Sequence, residues 1–485
     1  MSGKSSTNTA ATGNRPQGFT AFTLFSLTFC SMMGSGVFDI PQNIASHAGA
    51  IAVVINWVIV TIGMLALAWS FIYISNKRPD IKSGIYGYAK FGFGDFVGFN
   101  SAWGYWLNSL LGNTSYLIYI FATLGNFFVI FGHGSTAGAT IPAFIGESIV
   151  IWIVYLLITI GIKEATYINT MITTIKIIAL SAITLIFCYG FKLNIFKLNM
   201  STHDLHLGSM LTQVKSTMLV TVWDFLGIEA ACIYATHAKS MKEVARATML
   251  SVIAVLIIDA LISILPFGVM TTSSVQALQT PSTAGVMAVI LGSISANLIR
   301  IAVLICVVGA LLSWQMLATN ILYLAANDKT MPKFLDKINA KLVPSRALLT
   351  SSLVLQFFIT CAHFSGAIYL NMIQIATSLV LVPYLLAALF AFKLIITDKK
   401  IHYYELIKGV LAVCYAIWLV YAGGLKFLAI SSIMYSVGIL VFYKARREQG
   451  QKLISNKFEL IMLIIILATS LSLSILWLNG VWSIN

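Results

Sequence analysis

Cys30-Ser31-Met32-Met33-Gly34-Ser35-Gly36-Val37-Phe38-Asp39 lies inside an apolar segment running from about Phe19 to Ile44. A helix through that segment is long enough to cross a bilayer, which takes roughly 20 residues. Gly34 and Gly36 fall near its middle, where a helix is easily broken. Backbone unwound at membrane depth is tolerated only where it is buried in protein or lines a cavity. Such a break leaves N–H and C=O groups, and the dipole ends of two half-helices, facing whatever lies beside it. The alternative is that the glycines let another helix pack closely. Taken alone, the stretch supports both readings.

Composition narrows the context. Hydrophobic residues make up 59% of the 485-residue chain and charged residues 9%, against about 25% charged in soluble proteins. This is a polytopic membrane protein whose principal partner is the lipid bilayer. The net charge of +14 is explained by the placement of lysine and arginine in loops and gives no reason to expect nucleic acid as a partner. The six cysteines, at 30, 188, 232, 306, 361 and 414, all fall in apolar segments. They read as small buried hydrophobes rather than a disulfide or metal framework. Residues 1–17 are polar and read as a disordered tail; no secretory signal peptide is expected.

Thirteen apolar segments follow, at about 19–46, 50–74, 96–131, 140–161, 166–190, 212–237, 247–270, 297–325, 347–364, 368–396, 404–422, 426–443 and 458–478. Residues 271–296 hold a polar turn and a short apolar stretch that reads as an interfacial helix. With the N-terminus inside, twenty-four Lys and Arg residues fall in inside segments and five outside, with Lys176 alone inside a span. That asymmetry places the N-terminus in the cytoplasm. Thirteen spans put the C-terminus outside; misjudging the short eleventh or twelfth segment gives twelve and reverses it.

The sixth segment contains Trp223-Asp224-Phe225-Leu226-Gly227-Ile228-Glu229. Like the first, it has glycine near mid-span and acidic residues beside it. Paired interruptions five spans apart point to an inverted-repeat transporter. The expected fold is an all-α, LeuT-like bundle of five plus five spans at 18–400, with repeats at about 18–190 and 212–396. Residues 401–485 would add two or three peripheral C-terminal helices.

Charges inside spans are expensive and mark functional candidates: Asp39, Glu147, Lys176, Asp224, Glu229 and Asp259. Carboxylates beside broken helices suit a cationic ligand. Glu229 reads as a proton carrier or as a cap on freed amides. Asp39 and Asp224 read as vestibule positions, Asp259 as a structural hydrogen-bond partner, and Glu147 as peripheral, near the outer face. Lys176 lies some ten residues from either span end, too deep for easy snorkelling. Its ammonium is expected to neutralise a carboxylate or to point at carbonyls of the first break. In the third span Tyr105, Ser109, Asn113 and Tyr116 recur at spacings of three and four and share one helix face. Tyr105, Trp223 and Trp314 are candidates to cage a cation, where each ring is worth roughly 0.5–2 kcal/mol, or to pack as ordinary aromatics. His47, His237 and His363 fall near span ends. No Walker loop, zinc spacing or Ser/His/Asp arrangement is present, so no enzyme activity, metal or cofactor is expected.

The motifs as a set resemble those of amino acid–polyamine–organocation transporters. They are Gly34-Ser35-Gly36-Val37-Phe38 with Pro41-Gln42-Asn43, Ser83-Gly84-Ile85-Tyr86-Gly87-Tyr88, Gly92-Phe93-Gly94, Tyr105-Trp106, Gly112-Asn113, Gly227-Ile228-Glu229, Trp314-Gln315-Met316-Leu317-Ala318, Asn327-Asp328 and Met331-Pro332. The chain is similar over residues 18–445 to the basic amino acid/polyamine antiporter branch, with a length and thirteenth segment more like the arginine/ornithine type. The resemblance implies a bacterial inner-membrane exchanger of small amino acids or amines, with a homodimer as one assembly open to it. A proton-coupled amino acid symporter is the alternative. It implies that backbone around Ser31, Ser35 and Gly36 holds the substrate carboxylate and that the break at Gly227 holds its α-amine. Trp223 would stack on the side chain; Asn113, with Ser109, would meet the distal group; Thr377 would add a hydroxyl. Tyr105, Trp314 and Tyr384 would act in gating and occlusion. Glu229 and Tyr88 would couple to pH, and Lys176 would stand where sodium sits in sodium-coupled carriers of this architecture. Asn108, Tyr116, Ala376 and Asp224 depart from the arginine/agmatine pattern and leave the exact substrate open.

Overall fold

Without water to satisfy them, backbone N–H and C=O groups in a membrane must pair within their own segment, and an apolar chain of this length therefore folds as helices. The computed structural model describes residues 19–200, 207–235, 238–365 and 369–479. The expected 1–17 tail and His237 lie outside them. The helices are α1 (Ala21–Met32), α2 (Gly36–Ala45), α3 (Ala50–Lys77), α4 (Gly84–Phe93), α5 (Asp95–Leu124), α6 (Ile141–Ile160), α7 (Ile162–Gly190), α8 (Leu193–Leu198), α9 (Met210–Trp223) and α10 (Ala230–Ile233). They continue with α11 (Met241–Ile264), α12 (Thr272–Gln276), α13 (Ser282–Leu291), α14 (Ser293–Asn327), α15 (Ser345–Ser365), α16 (Tyr369–Thr397), α17 (Tyr403–Ala422), α18 (Gly424–Glu448) and α19 (Lys457–Leu478).

Among the described residues thirteen helical segments stand where the sequence has its apolar segments, two of them broken: α1–α2 and α9–α10. Eleven crossings among the described residues are long and apolar enough to pass as membrane spans on length and composition alone. The other two are α5, made less apolar by its polar stripe, and the split α9–α10. Capping hydroxyls set several starts: Thr20, Thr140, Ser209 and Ser240 each accept from the backbone N–H three residues on. The short eleventh and twelfth segments are separate helices that reverse at Gly423-Gly424, where Gly424 takes φ +74°.

Three boundaries differ from expectation. The third span ends at Leu124, and the aromatic run after it, Phe127 to Ile130, is exposed. Residues 84–93, read as loop, form α4, lodged against α5 and α16. Residues 271–296 hold two short helices rather than one. Cys188, Cys361 and Cys414 are exposed on the bundle surface, where an apolar thiol meets lipid as readily as core, while Cys30, Cys232 and Cys306 are buried.

Long α5 and α14 pack against each other at the centre, with α16 beside α5 and α1 wedged between α7 and α11. On α6, Ile141, Ile145, Ile149, Ile153 and Leu156 face outward while Ala143, Glu147, Ile151, Val154 and Ile158 face inward. An exposed apolar face of that length is a lipid-facing one.

Asp39 is buried and hydrogen-bonded, not solvated in a vestibule. Its carboxylate accepts from the Ser282 N–H at 2.6 Å and the Thr280 hydroxyl at 2.8 Å, so it sits at the start of α13. Ser282 Oγ donates to the Phe38 carbonyl and accepts from the Gln42 N–H. That hydroxyl inserts between an i/i−4 pair just past Pro41. Gln42 Nε2 donates to the Gln276 carbonyl and Gln276 Nε2 to the Ala45 carbonyl, so α2, α12 and α13 form one hydrogen-bonded body. Replacing Asp39 with Ala removes two charge-assisted bonds and should destabilise the protein by about 2 kcal/mol. Asn, which retains one acceptor, should cost roughly half. Thermal unfolding of the purified variants in detergent reads the difference, and equal midpoints for Asp39→Ala and the parent would contradict it.

Candidate functional site

The first break spans Met33 to Ser35, between α1 and α2. Its freed carbonyls are met by side chains from two other helices. Lys176 of α7, fully buried, donates from Nζ to Met33 O at 2.5 Å and to Cys30 O at 3.4 Å. Trp314 of α14 donates from Nε1 to Ser31 O at 2.8 Å. Lys176 thus points at carbonyls rather than at a carboxylate, and its charge lies against the negative end of the α1 dipole. Of the N–H groups opening α2, that of Phe38 turns back to Ser35 O at 3.1 Å, while those of Gly36 and Val37 precede any i−4 carbonyl of the helix, so that end presents positive potential to an anion.

The second break runs from Asp224 to Glu229 as consecutive turns between α9 and α10. Gly227 adopts φ +103°, open to glycine, and a Cβ there would lie 2.5 Å from Ser31 Oγ. Ser31 Oγ also reaches Gly227 O at 3.4 Å, so the two breaks touch at this pair. Tyr384 of α16 links Gly227 to Glu229: its hydroxyl accepts from the Gly227 N–H at 3.4 Å and donates to Glu229 Oε2 at 2.6 Å.

Gly34 and Gly36 serve both readings made of them. They flank an unwound backbone, and they permit close approach as well. A Cβ on Gly34 would meet Tyr116 Oη at 2.2 Å; one on Gly36 would meet Asp224 Oδ1 at 1.9 Å and Trp223 Cδ1 at 2.7 Å. Trp223 fills the space between the first break and α5. Its ring lies 5.8 Å from that of Tyr116 and its edge 3.0 Å from where a Cβ on Gly112 would be. The Tyr105 and Trp314 rings are 5.8 Å apart.

Other sequence-derived residues are placed less directly. Asn113 donates to Gln315 Oε1 at 3.0 Å and keeps its own Oδ1 without a partner. Ser109 and Thr377 turn their hydroxyls onto their own helices, to Tyr105 O and Ile373 O. The Tyr88 hydroxyl pairs with Ser75 at 2.8 Å; its ring meets Phe71, which lies edge-on to Tyr384, so an aromatic ring separates Tyr88 from the Glu229 cluster. Asp224 is fully buried rather than at a vestibule, and among the described residues both its carboxylate oxygens lack hydrogen-bond partners, as do both of Asp259. Asp259 is therefore not the hydrogen-bond partner expected. Tyr369 went unnoticed in the sequence. Its hydroxyl pairs with Ser35 Oγ at 2.5 Å, and its ring lies 4.9 Å from Tyr119. Lying at the start of a span, it carries no signal beyond being an aromatic near an interface.

An inward-facing pair of broken helices, one anion-attracting end and carboxylates close by define a membrane carrier for a small charged solute. The sequence model of the amino acid permease family matches residues 19–469, and the chain belongs to that family. It is 40% identical over 459 residues to the arginine/ornithine antiporter of Pseudomonas aeruginosa, covering 92% of this chain and 94% of that one. It is 38% identical over 440 residues to the arginine/agmatine antiporter of Chlamydia felis, covering 88% and 90%. The solved outward-open structure of a Na+-coupled sialic acid symporter shares the fold at TM-score 0.51 and 13% identity, over 85% of this chain and 91% of that one. The five-plus-five bundle with peripheral C-terminal helices is thus the LeuT-like architecture expected.

The Gly34 contact yields a test by compensation. Gly34→Ala should lower the unfolding midpoint by several degrees, because overpacking costs roughly 1–3 kcal/mol. Adding Tyr116→Leu, which removes the ring atoms in the way, should recover part of the loss. Strictly additive losses would show that the glycine is needed for backbone freedom alone.

Proposed function

We propose that this protein exchanges a cationic amino acid, arginine or a near analogue, for a related amino acid or amine such as ornithine or agmatine. The observation that carries the proposal is the 40% identity to an arginine/ornithine antiporter across nearly the whole chain. The site chemistry agrees with it. The open start of α2, at Ser35 and Gly36, suits the substrate carboxylate. The break at Gly227, with Ser31 against it, suits the α-amine. Trp223 would stack on the side chain and, with Asn113, Ser109 and Thr377, hold the distal group. Tyr105, Trp314 and Tyr384 would close over the bound solute. Lys176, bonded to the α1 carbonyls, would give this carrier a fixed cation in place of a bound sodium ion. Glu229 would carry a proton or set the pH response, with Tyr88 acting on it through Phe71.

Exchange by alternating access follows if the loaded carrier reorients quickly and the empty one slowly, the solute gradients supplying the drive. We place the protein in a bacterial inner membrane with its N-terminus cytoplasmic, because the basic residues gather on that face. The inverted repeats would run over about 18–190 and 212–396. No catalytic step or cofactor is assigned.

Counterflow in proteoliposomes tests the reading: labelled arginine should enter only when unlabelled arginine, ornithine or agmatine is inside. Strong net uptake into empty vesicles under a pH gradient would sink the exchanger and favour proton symport. Trp223→Leu should leave the protein inserted and cut exchange roughly tenfold or more, equal to at least about 1.4 kcal/mol of lost binding. Glu229→Gln should flatten the pH dependence of exchange, since the group assigned to it no longer titrates; an unaltered profile would remove that role.

A further inference from the structure

The face of the bundle away from the N-terminus holds a cavity of about 680 Å³ that is apart from the paired breaks. Pockets for small molecules run from about 300 to 1,000 Å³, so a whole amino acid fits. Among its described lining residues Glu147 is the single carboxylate, none is lysine or arginine, and the basic groups are the imidazoles of His133 and His363. The sequence reading of Glu147 as peripheral is corrected by its surroundings. It lies on the inward stripe of α6, between Ala143 and Ile151, and is 2% exposed. Its Oε1 has no hydrogen-bond partner. A buried carboxylate oxygen that has no hydrogen-bond partner among the described residues is costly. The position makes sense if a cation arrives from the cavity.

The rest of the lining suits an organic cation better than a bare ion. Tyr119 and Tyr369 offer aromatic faces, and Asn126 and Thr280 offer amide and hydroxyl groups. Guanidinium and ammonium groups are attracted to aromatic faces by the ring quadrupole. The same two tyrosines form the floor: their rings are 4.9 Å apart, and the Tyr369 hydroxyl pairs with Ser35 at the first break. A ligand held at Glu147 is therefore separated from that break by one layer of side chains.

We propose that this cavity is a second binding site, for the guanidinium or primary ammonium group of an amino acid or amine, with Glu147 as its counter-ion. The solute class and the outward direction of the cavity rest on the function and orientation proposed above; the site itself rests on the cavity and its unpaired carboxylate. Held there, a cationic solute waits outside the tyrosine floor until the Ser35–Tyr369 contact opens.

Equilibrium binding of labelled arginine to the full-length protein in detergent, at constant ionic strength, tests this. The wild type should bind two arginines per chain, the second more weakly. Trp223→Leu should leave the weak component. Glu147→Gln should weaken that component at least tenfold in both the wild-type and Trp223→Leu backgrounds. Glu147→Asp should retain it, which separates loss of charge from loss of fold. Citrulline, an uncharged analogue of arginine, should compete poorly for the weak component. Unchanged binding on Glu147→Gln in both backgrounds, or equal competition by citrulline, would overturn the proposal. If Trp223→Leu left both components intact, the central assignment would fail, while the Glu147 comparison would still be read in the wild-type background.

Discussion

A backbone broken at membrane depth has no water to pair with, and each orphaned group there costs several kcal/mol. The bundle is arranged around meeting that cost at two places. Lys176 and Trp314 come from α7 and α14 to the carbonyls that α1 leaves open, and Tyr384 comes from α16 to the Gly227 N–H. Each of these side chains is placed by a long helix that needs no break of its own. The unbroken helices thus form a frame whose polar side chains satisfy the broken ones. What they leave unsatisfied, chiefly the first N–H groups of α2, is what remains for a ligand.

The contacts divide the molecule into parts that hold and parts that can part. Asp39, Ser282, Gln42 and Gln276 tie α2 to α12 and α13 through several hydrogen bonds, two of them to a buried carboxylate. Parting that assembly would break all of these bonds at once. By contrast, one hydroxyl pair, Ser35 to Tyr369, joins the first break to the start of α16, and a 3.4 Å contact from Ser31 to Gly227 O joins the two breaks. Contacts this sparse can be exchanged for bonds to a solute at little net cost, since a hydrogen bond contributes only about 1 kcal/mol net. On the alternating access proposed above, the Ser35–Tyr369 pair would be the contact to separate while the Asp39 assembly stays whole.

Much of this was legible in the sequence, and the reason is the membrane. Hydropathy marks spans, loop charge marks faces, and a buried lysine such as Lys176 stands out because so few charges occur in spans. The breaks at Gly34–Gly36 and Gly227 were legible for the same reason: glycines close to acidic residues inside apolar segments are conspicuous. Partners across the fold were not. Asp39 carries no mark in the sequence that separates a solvated carboxylate from one bonded to Ser282, some two hundred and forty residues away. Thr377 shows another limit of residue type. Its hydroxyl donates to its own i−4 carbonyl, an option open to any helical threonine and unmarked in the sequence, and leaves only its oxygen to accept. The helix at 84–93 was missed because ten residues between two spans read as loop when its burial against α5 and α16 is unknown.

Charge placement connects the site to its solute. A lone buried charge is costly, so buried ionic groups are normally paired. Lys176 is spent on the α1 carbonyls and so is not available to Asp224 or Asp259, whose oxygens have no partners among the described residues. Asp224 approaches Gly36 closely enough to exclude even a methyl group there. The carboxylate and the open start of α2 are thus beside each other, one suited to a cation and the other to an anion. A zwitterion bearing a further positive charge meets both, whereas an uncharged solute would leave the carboxylate unpaired and a bare anion would oppose it. On the function proposed above, the selectivity of the site would then lie less in any hydrogen bond to the distal group than in a buried carboxyl whose oxygens have no partner among the described residues.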